Sequence, residues 1–300
     1  MITFIFSYNR GPHLQNCVES VEYCAPDSTI IIYDDNSDDP ETRRILKDLT
    51  ERHEVRKPGS LHNLSMHGGL YNNMQHALYS VETHDEIICF LQDDTQMVRP
   101  IKNEDRSFIK NYFASNPKAG FIAPVFQKGH TRKKTLERFR YAAKYGVYFC
   151  HHESNKNVAG MHYSDISITL SGRLKEVQWC FHGDEYDNEQ QARQHFMKMG
   201  YLYAPFVMWL PNPPAYRNKG KTLAFQIAER RNRAGLYPYR FMTEERISAL
   251  TTRDPAQLPI AEQNLELTTV LEKPWIFHPL KRSRLLRKLD RLQTFFQHSR

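Results

Sequence analysis

Three short acidic clusters have the residue types to do chemistry. Asp34-Asp35-Asn36-Ser37 follows the apolar run 30–33. A carboxylate there can accept hydrogen bonds from a nucleobase imide or a ribose hydroxyl. The same residues would also serve as an acidic turn capping a helix from Glu41, with Ser37 or Asp38 as the cap. Asp93-Asp94 follows the apolar run 87–91. Paired carboxylates suit a hard cation, since Mg²⁺ is held by one or two carboxylates plus substrate phosphates. A plain polar turn there would cluster like charges without a counterion. Asp184-Glu185-Tyr186-Asp187-Asn188-Glu189 precedes a helical stretch. The helix dipole favours acid there, and a carboxylate so placed can act as a general base on an acceptor hydroxyl.

Elements of alternating kind must position these clusters. The runs 2–6, 30–33 and 87–91 read as buried strands, and Val55 as a short edge strand. Helical spacing follows the first strand (Leu14, Val18, Val21), the second (Ile45, Leu46, Leu49) and a loop-like stretch over 58–69, after which 70–81 is helical. Short strands alternating with longer helices predict a mostly parallel α/β sheet, which binds ligands beyond the carboxyl ends of its strands. No GxGxxG follows the first strand and no Gx4GK[ST] occurs, so a dinucleotide site and a P-loop are disfavoured. Further strands are expected over 121–126, 166–170 and 201–210, with 128–140 basic and exposed. A helix is expected over 189–199, capped by Gly200. After 215 the chain reads as helical and charged. Two parts result, 1–215 and a helical extension over 216–300.

Composition narrows the classes. The chain has 300 residues, 40% apolar and 25% charged, with a mean hydropathy of −0.65. No apolar run approaches the roughly 20 residues that span a bilayer. Met1 leads directly into a strand, without a basic region and long apolar stretch, so a cytoplasmic location is expected. Five cysteines without a CxxC argue against a disulfide framework or a zinc site, and Cys89 reads as core. Most of the net charge of +7 lies in 281–300, where seven basic residues stand against Asp290 alone. As a helix this tail is amphipathic and cationic. It could lie on an anionic membrane through residues 280–300, or dock its apolar stripe on the protein. Nucleic-acid binding is not expected, for the body is near neutral and the tail has no stacking platform. His151-His152 and the rest of the 14 histidines read as surface or loop residues; His278 is the candidate for an extra cation ligand. Trp179 and Trp209 are either sugar-stacking or core residues.

Four blocks resemble inverting family-two glycosyltransferases: ITFIFSYNRGPHLQNCVES (2–20), IIIYDDNSDD (30–39), HGGLYNNMQHALYSVETHDEIICFLQDDTQMVRP (67–100) and FHGDEYDNEQQARQHFMKMGY (181–201). The resemblance covers residues 1–215 in order and spacing. It implies a GT-A fold and transfer of a sugar from a nucleotide-diphosphate sugar, with uridine diphosphate the favoured carrier, to a glycan or lipid-linked acceptor in cell-surface glycan synthesis. By resemblance Ser7, Tyr8, Asn9, Asp35, Gly69 and Asp93 belong to the nucleotide site. Asp94 would bind Mn²⁺ or Mg²⁺, and Glu189 would be the catalytic carboxylate, with Asp187 its rival. Gln92 replaces the first acid of the usual Asp-x-Asp, and Asn188-Glu189 replaces the usual Glu-Asp. Asp94→Asn and Glu189→Gln are each expected to abolish transfer with the fold intact. An inactive scaffold or membrane adaptor, kept open by Gln92, and a nucleotidyltransferase are the alternatives; the latter would want a Gly-rich basic loop where 7–12 stands.

Overall fold

The computed structural model describes residues 1–57, 69–129, 136–151, 160–214, 222–271, 275 and 279–298. Strands β1 (Ile2–Ser7), β2 (Thr29–Asp34), β3 (Glu54–Arg56) and β4 (Ile87–Gln92) pair in parallel in the order β3-β2-β1-β4. The apolar runs of β1, β2 and β4 suit strands covered on both faces, while the short β3, Glu54-Val55-Arg56, forms the part-exposed edge. Helices α1 (Gly11–Cys24), α2 (Pro40–Leu49) and α3 (Leu70–Ser80) make the crossovers. The cap of α2 is Asp39, whose carboxylate accepts from Thr42 N at 2.8 Å, rather than Ser37 or Asp38. Ser37 is held instead by Asp34. A Cβ on Gly11 would lie 2.8 Å from Thr42 Cα, so glycine lets α1 start against α2.

Beyond β4 come β5 (Thr95–Met97), α4 (Asn103–Ser115), β6 (Ile122–Ala123), the hairpin β7 (Phe139–Ala142) and β8 (Val147–Cys150), then β9 (Ser167–Leu170) and α5 (Ser171–Glu176). The basic segment expected to be exposed thus ends in a strand with buried Phe139. α6 is Glu185–His195, β10 Gly200–Leu202 and β11 Val207–Trp209. The sheet continues β4-β9-β6-β10-β8-β7, with β9 antiparallel to both neighbours and β10 parallel to β6. The expected strand over 121–126 is cut short at Pro124, and that over 201–210 divides around Pro205. α6 begins a turn before the expected position because Asp184 caps it, accepting from Asp187 N at 2.8 Å. It ends at His195, where Phe196 turns extended and buried. Gly200 is therefore a strand residue and not a helix cap.

The C-terminal elements are α7 (Leu223–Asn232), α8 (Glu244–Thr252), α9 (Ala261–Asn264), a 3₁₀ turn (Pro279–Arg282) and α10 (Arg284–His298). Tyr239, Ile247 and Leu250 share an apolar cluster with Val98, Phe126 and Met208 of the sheet domain. Cys89 and Trp179 are fully buried core residues. His152 and His278 lie outside the described residues. Among the described residues no helix is long and apolar enough to cross a membrane.

Candidate active site

The register of the parallel strands aligns three turns at one edge of the sheet. Ser7 pairs with Asp34, and Phe6 with Gln92. The chain then continues as Asp35 N→Ser7 O at 2.9 Å and Asp93 N→Phe6 O at 3.0 Å. This is the carboxyl edge, where the strand ends leave a crevice for ligands.

Asp93 lies buried at the centre. It accepts from Ser7 Oγ at 3.1 Å and Tyr8 N at 3.2 Å, and pairs with Arg10 Nη2 at 2.9 Å. Burial pushes its carboxyl up to about 6 despite the guanidinium. Arg10 Nη1 also reaches Asp94 Oδ2 at 3.0 Å. One guanidinium thus spans both carboxylates and supplies the countercharge that adjacent acids need. Asp94 Oδ1 is buried and makes no hydrogen bond. An unmet carboxylate oxygen beside a part-exposed crevice is what a cation ligand requires. Among the described residues no three ligating side chains converge, so a cation here would rely on Asp94 and substrate phosphates, a coordination that Mg²⁺ tolerates.

The second turn is tied to the first by Asn9, in the left-handed region at φ 49°. Its N donates to Ser37 Oγ at 2.9 Å, and its Oδ1 accepts from Asp38 N at 2.9 Å and Asp39 N at 3.0 Å. Asn9 therefore orients the turns. Asp35 is half-buried; its Oδ2 accepts from Gly69 N at 2.7 Å, and burial raises its carboxyl above the usual range. A Cβ at Gly69 would collide with that carboxylate, so the position admits only glycine without displacing Asp35. Ser7, Tyr8, Asn9, Asp35, Gly69, Asp93 and Asp94 thus converge on one edge.

The acidic segment stands on the neighbouring side. Asp184 and Glu185 of the α6 start act electrostatically on Tyr71. The Tyr71 hydroxyl donates to Asp165 Oδ2 at 3.2 Å, and Gln92 Nε2 lies 3.5 Å from the same oxygen. Asp165 precedes β9, and the pairing Phe90↔Ser167, continued two residues, sets it opposite Gln92. A carboxylate thus stands beside Gln92, delivered by an antiparallel strand. Burial raises Asp165 to about 6, and its Oδ1 is buried without a hydrogen-bond partner.

Glu189 differs from its expected part as an accessible base. It has no exposed surface. Its Oε2 accepts from the backbone N of Gly160, Met161, His162 and Tyr163 at 2.9–3.2 Å, and its Oε1 lies 2.9 Å from His162 Nδ1. The early start of α6 explains this, for Asn188, Glu189 and Ala192 form its buried stripe. Asn188 locks the preceding turn through His182 and Asp184. Asp187 lies on the exposed side of the same first turn.

Arg10, Tyr71 and Asp165 gave no local signal, because their partners lie 73 to 94 residues away. The only available hint to Arg10 was its place in the Tyr-Asn-Arg turn. Residues 3–100 match the model of glycosyl transferase family 2. That segment carries β1 to β4 and the turns with Ser7, Asp35 and Asp94, and the architecture around it is the expected GT-A kind of α/β fold. Similar solved structures include TarS 1–349 of S. aureus, 13% identical over 69% of this chain and 59% of that one, with a TM-score of 0.44. Another is the mannosyltransferase PcManGT of Pyrobaculum calidifontis, solved with GDP-Man and Mn²⁺, 12% identical over 76% of this chain and 60% of that one, TM-score 0.44. The chain spans about three fifths of the length of these proteins. No curated protein matches.

Proposed function

We propose that this chain is a nucleotide-sugar-dependent glycosyltransferase that inverts the anomeric centre, with a uridine diphosphate sugar as the favoured donor. The observation that carries the reading is the convergence of three strand-end turns on one sheet edge, where Asp94 Oδ1 is buried and unmet. Asp35, held by Gly69 N, would take the ribose or base, and Ser7 and Arg10 would fix the Asp93-Asp94 pair. Asp94 would hold a divalent cation, Mn²⁺ or Mg²⁺, which when bound neutralises charge on the leaving diphosphate. The acceptor hydroxyl attacks the anomeric carbon, the bond to the diphosphate oxygen breaks, and that oxygen keeps the electron pair. Asp187 takes the hydroxyl proton. Glu189 is a positioning residue that fixes the backbone at 160–163, two residues from Asp165. Residues 1–215 would form the transferase part and 216–300 the extension, with cell-surface glycan synthesis on the cytoplasmic face of a membrane as its setting.

The scaffold reading is favoured by Gln92 and by the double engagement of Arg10, which already pairs with one oxygen of each carboxylate. A thermal-shift screen with uridine, guanosine, cytidine and thymidine diphosphates, each with and without Mn²⁺, separates the two. A metal-dependent shift for one nucleotide, lost in Asp94→Asn, supports the transferase. No shift with any nucleotide supports the scaffold. Release of nucleoside diphosphate from the matching donor then distinguishes transfer from nucleotidyl chemistry, which handles pyrophosphate.

A further inference from the structure

Helices α7 and α10 form an antiparallel pair. At one end Thr222 Oγ1 donates to Asp290 Oδ1 at 2.5 Å, and Ala224 N donates to Gln293 Oε1 at 3.0 Å. At the other end Asn232 Nδ2 donates to the Pro279 carbonyl at 2.8 Å. Between them Ala224 and Ala228 pack on Leu286. This is the seam of the pair, and it accounts for only one part of the apolar surface.

A second apolar stripe runs beside the seam on each helix. Leu223 and Ile227 precede Ala224 and Ala228, and are 61% and 44% exposed. Leu285 and Leu289 precede Leu286 and Asp290, and with Leu292 are 67%, 42% and 56% exposed. In antiparallel neighbours, the residue one step before each seam position turns to the same side of the pair. The two stripes therefore form one continuous apolar face of five branched side chains, a surface soluble proteins rarely leave open.

Charge selects the occupant. Arg230, Arg284, Arg287, Lys288 and Arg291 are exposed on the two helices. Of the two acids on the pair, Asp290 points into the seam and is bonded to Thr222, and Glu229 is half-buried, so the five cations outnumber them. A branched apolar face with a cationic surround fits the boundary between anionic headgroups and acyl chains, with the basic stems lying along the apolar surface and their heads in the phosphate layer. The pair is also tied to the edge of the candidate site. Asn212 Nδ2 donates to the Asn232 carbonyl at 2.6 Å, and Leu210 N donates to the Asp94 carbonyl at 2.7 Å.

We propose that the α7–α10 pair is a docking surface for anionic phospholipid, built from both helices and not from the basic tail alone. It rests on the transferase reading only for its purpose, a lipid-linked acceptor, and lipid binding is measured without donor or transfer. The full chain is sedimented with vesicles of phosphatidylcholine alone and of phosphatidylcholine mixed with phosphatidylglycerol. Sedimentation with the mixed vesicles only, weakened by raised salt, is expected. Lys288→Gln with Arg291→Gln should lower the partition constant about 30-fold, since each basic residue near the surface contributes about 1 kcal/mol. Leu223→Gln with Ile227→Gln should also lower it, with the unfolding midpoint unchanged because both side chains are already exposed. Absence of binding to the mixed vesicles overturns the proposal, as does binding untouched by the α7 substitutions. A concentration-dependent dimer that Leu285→Gln with Leu289→Gln disperses, without vesicle binding, would assign the face to a second copy and equally overturn it. The nucleotide-dependent thermal shift of these variants stays at the wild-type value whether or not lipid binds, so the two readings fail separately.

Discussion

Glu189→Gln separates a proton acceptor from a structural anion. The carboxylate takes four backbone N–H donors through Oε2. A hydrogen bond to a charged group contributes about 1.5–3 kcal/mol and a neutral one about 0.5–1.5 kcal/mol. The glutamine keeps one carbonyl oxygen for those donors but loses the charge, so each bond weakens by about 1 kcal/mol. It also sets an NH₂ against His162 N, which donates to Oε1 at 3.1 Å. Sharing of one oxygen among four donors means the losses do not add fully, and the net destabilisation is about 2–4 kcal/mol. Denaturant unfolding followed by tryptophan fluorescence reads this as a lower midpoint with an unchanged slope. Transfer measured where the variant is still folded should fall far less than in Asp187→Asn. A variant as stable as the wild type but devoid of transfer would refute this reasoning and return Glu189 to the catalytic step. The sequence alone predicts that very outcome, an intact fold without activity.

Asp187→Asn is expected to lower kcat by about 10²–10⁴-fold with donor KM little changed, as for loss of a general base; steady-state kinetics check the split. Asp94→Asn should abolish the Mn²⁺-dependent nucleotide shift while Asp35→Asn weakens nucleotide binding with or without metal, both read by calorimetry. Gly69→Ala should mimic Asp35→Asn, because the new Cβ displaces that carboxylate. Asp165→Asn tests the buried carboxyl raised to about 6. Such a group stabilises the fold fully below its unfolded value near 3.8 and loses that contribution as pH rises through about 6. The variant should therefore gain stability relative to wild type, by up to about 3 kcal/mol, between pH 4 and 7. His13, lowered to about 4 by burial, acts in the opposite direction, losing stability as pH falls from about 6.5 towards 4, so the difference between variant and wild type is the quantity to measure.

The carboxyl edge of the sheet was legible because its signals are local. Buried parallel strands read as unbroken apolar runs, and β1, β2 and β4 each end within a residue of their expected bounds before polar turns. The hairpin β7–β8 falls partly in a stretch that reads as basic and exposed, although Arg138-Phe139-Arg140-Tyr141 alternates at the strand period of two. Asp184 to Glu189 read as a leader to a helix, so the helix start was misjudged, and with it the direction in which Glu189 points. Asp165 and Arg10 needed the register of distant strands. The α7 stripe was invisible as a site because Leu223 and Ile227 gain meaning only beside Leu285 and Leu289.

The antiparallel seating of β9 has a consequence for assembly. β1 to β4 are contiguous in the first 92 residues, and their crossovers close within that span. β9 joins β4 across a separation of 73 residues at the Gln92–Asp165 contact. Pairings of that range are slow to form. Until β9 arrives, β4 is an open edge of six apolar-flanked residues, a template for pairing with another chain. A nascent or truncated chain ending before residue 167 would hold the turns with Ser7, Asp35 and Asp94 and yet be prone to aggregate. The strand that brings Asp165 to Gln92 is also the one that covers β4, so completion of the site and protection of that edge are a single folding event.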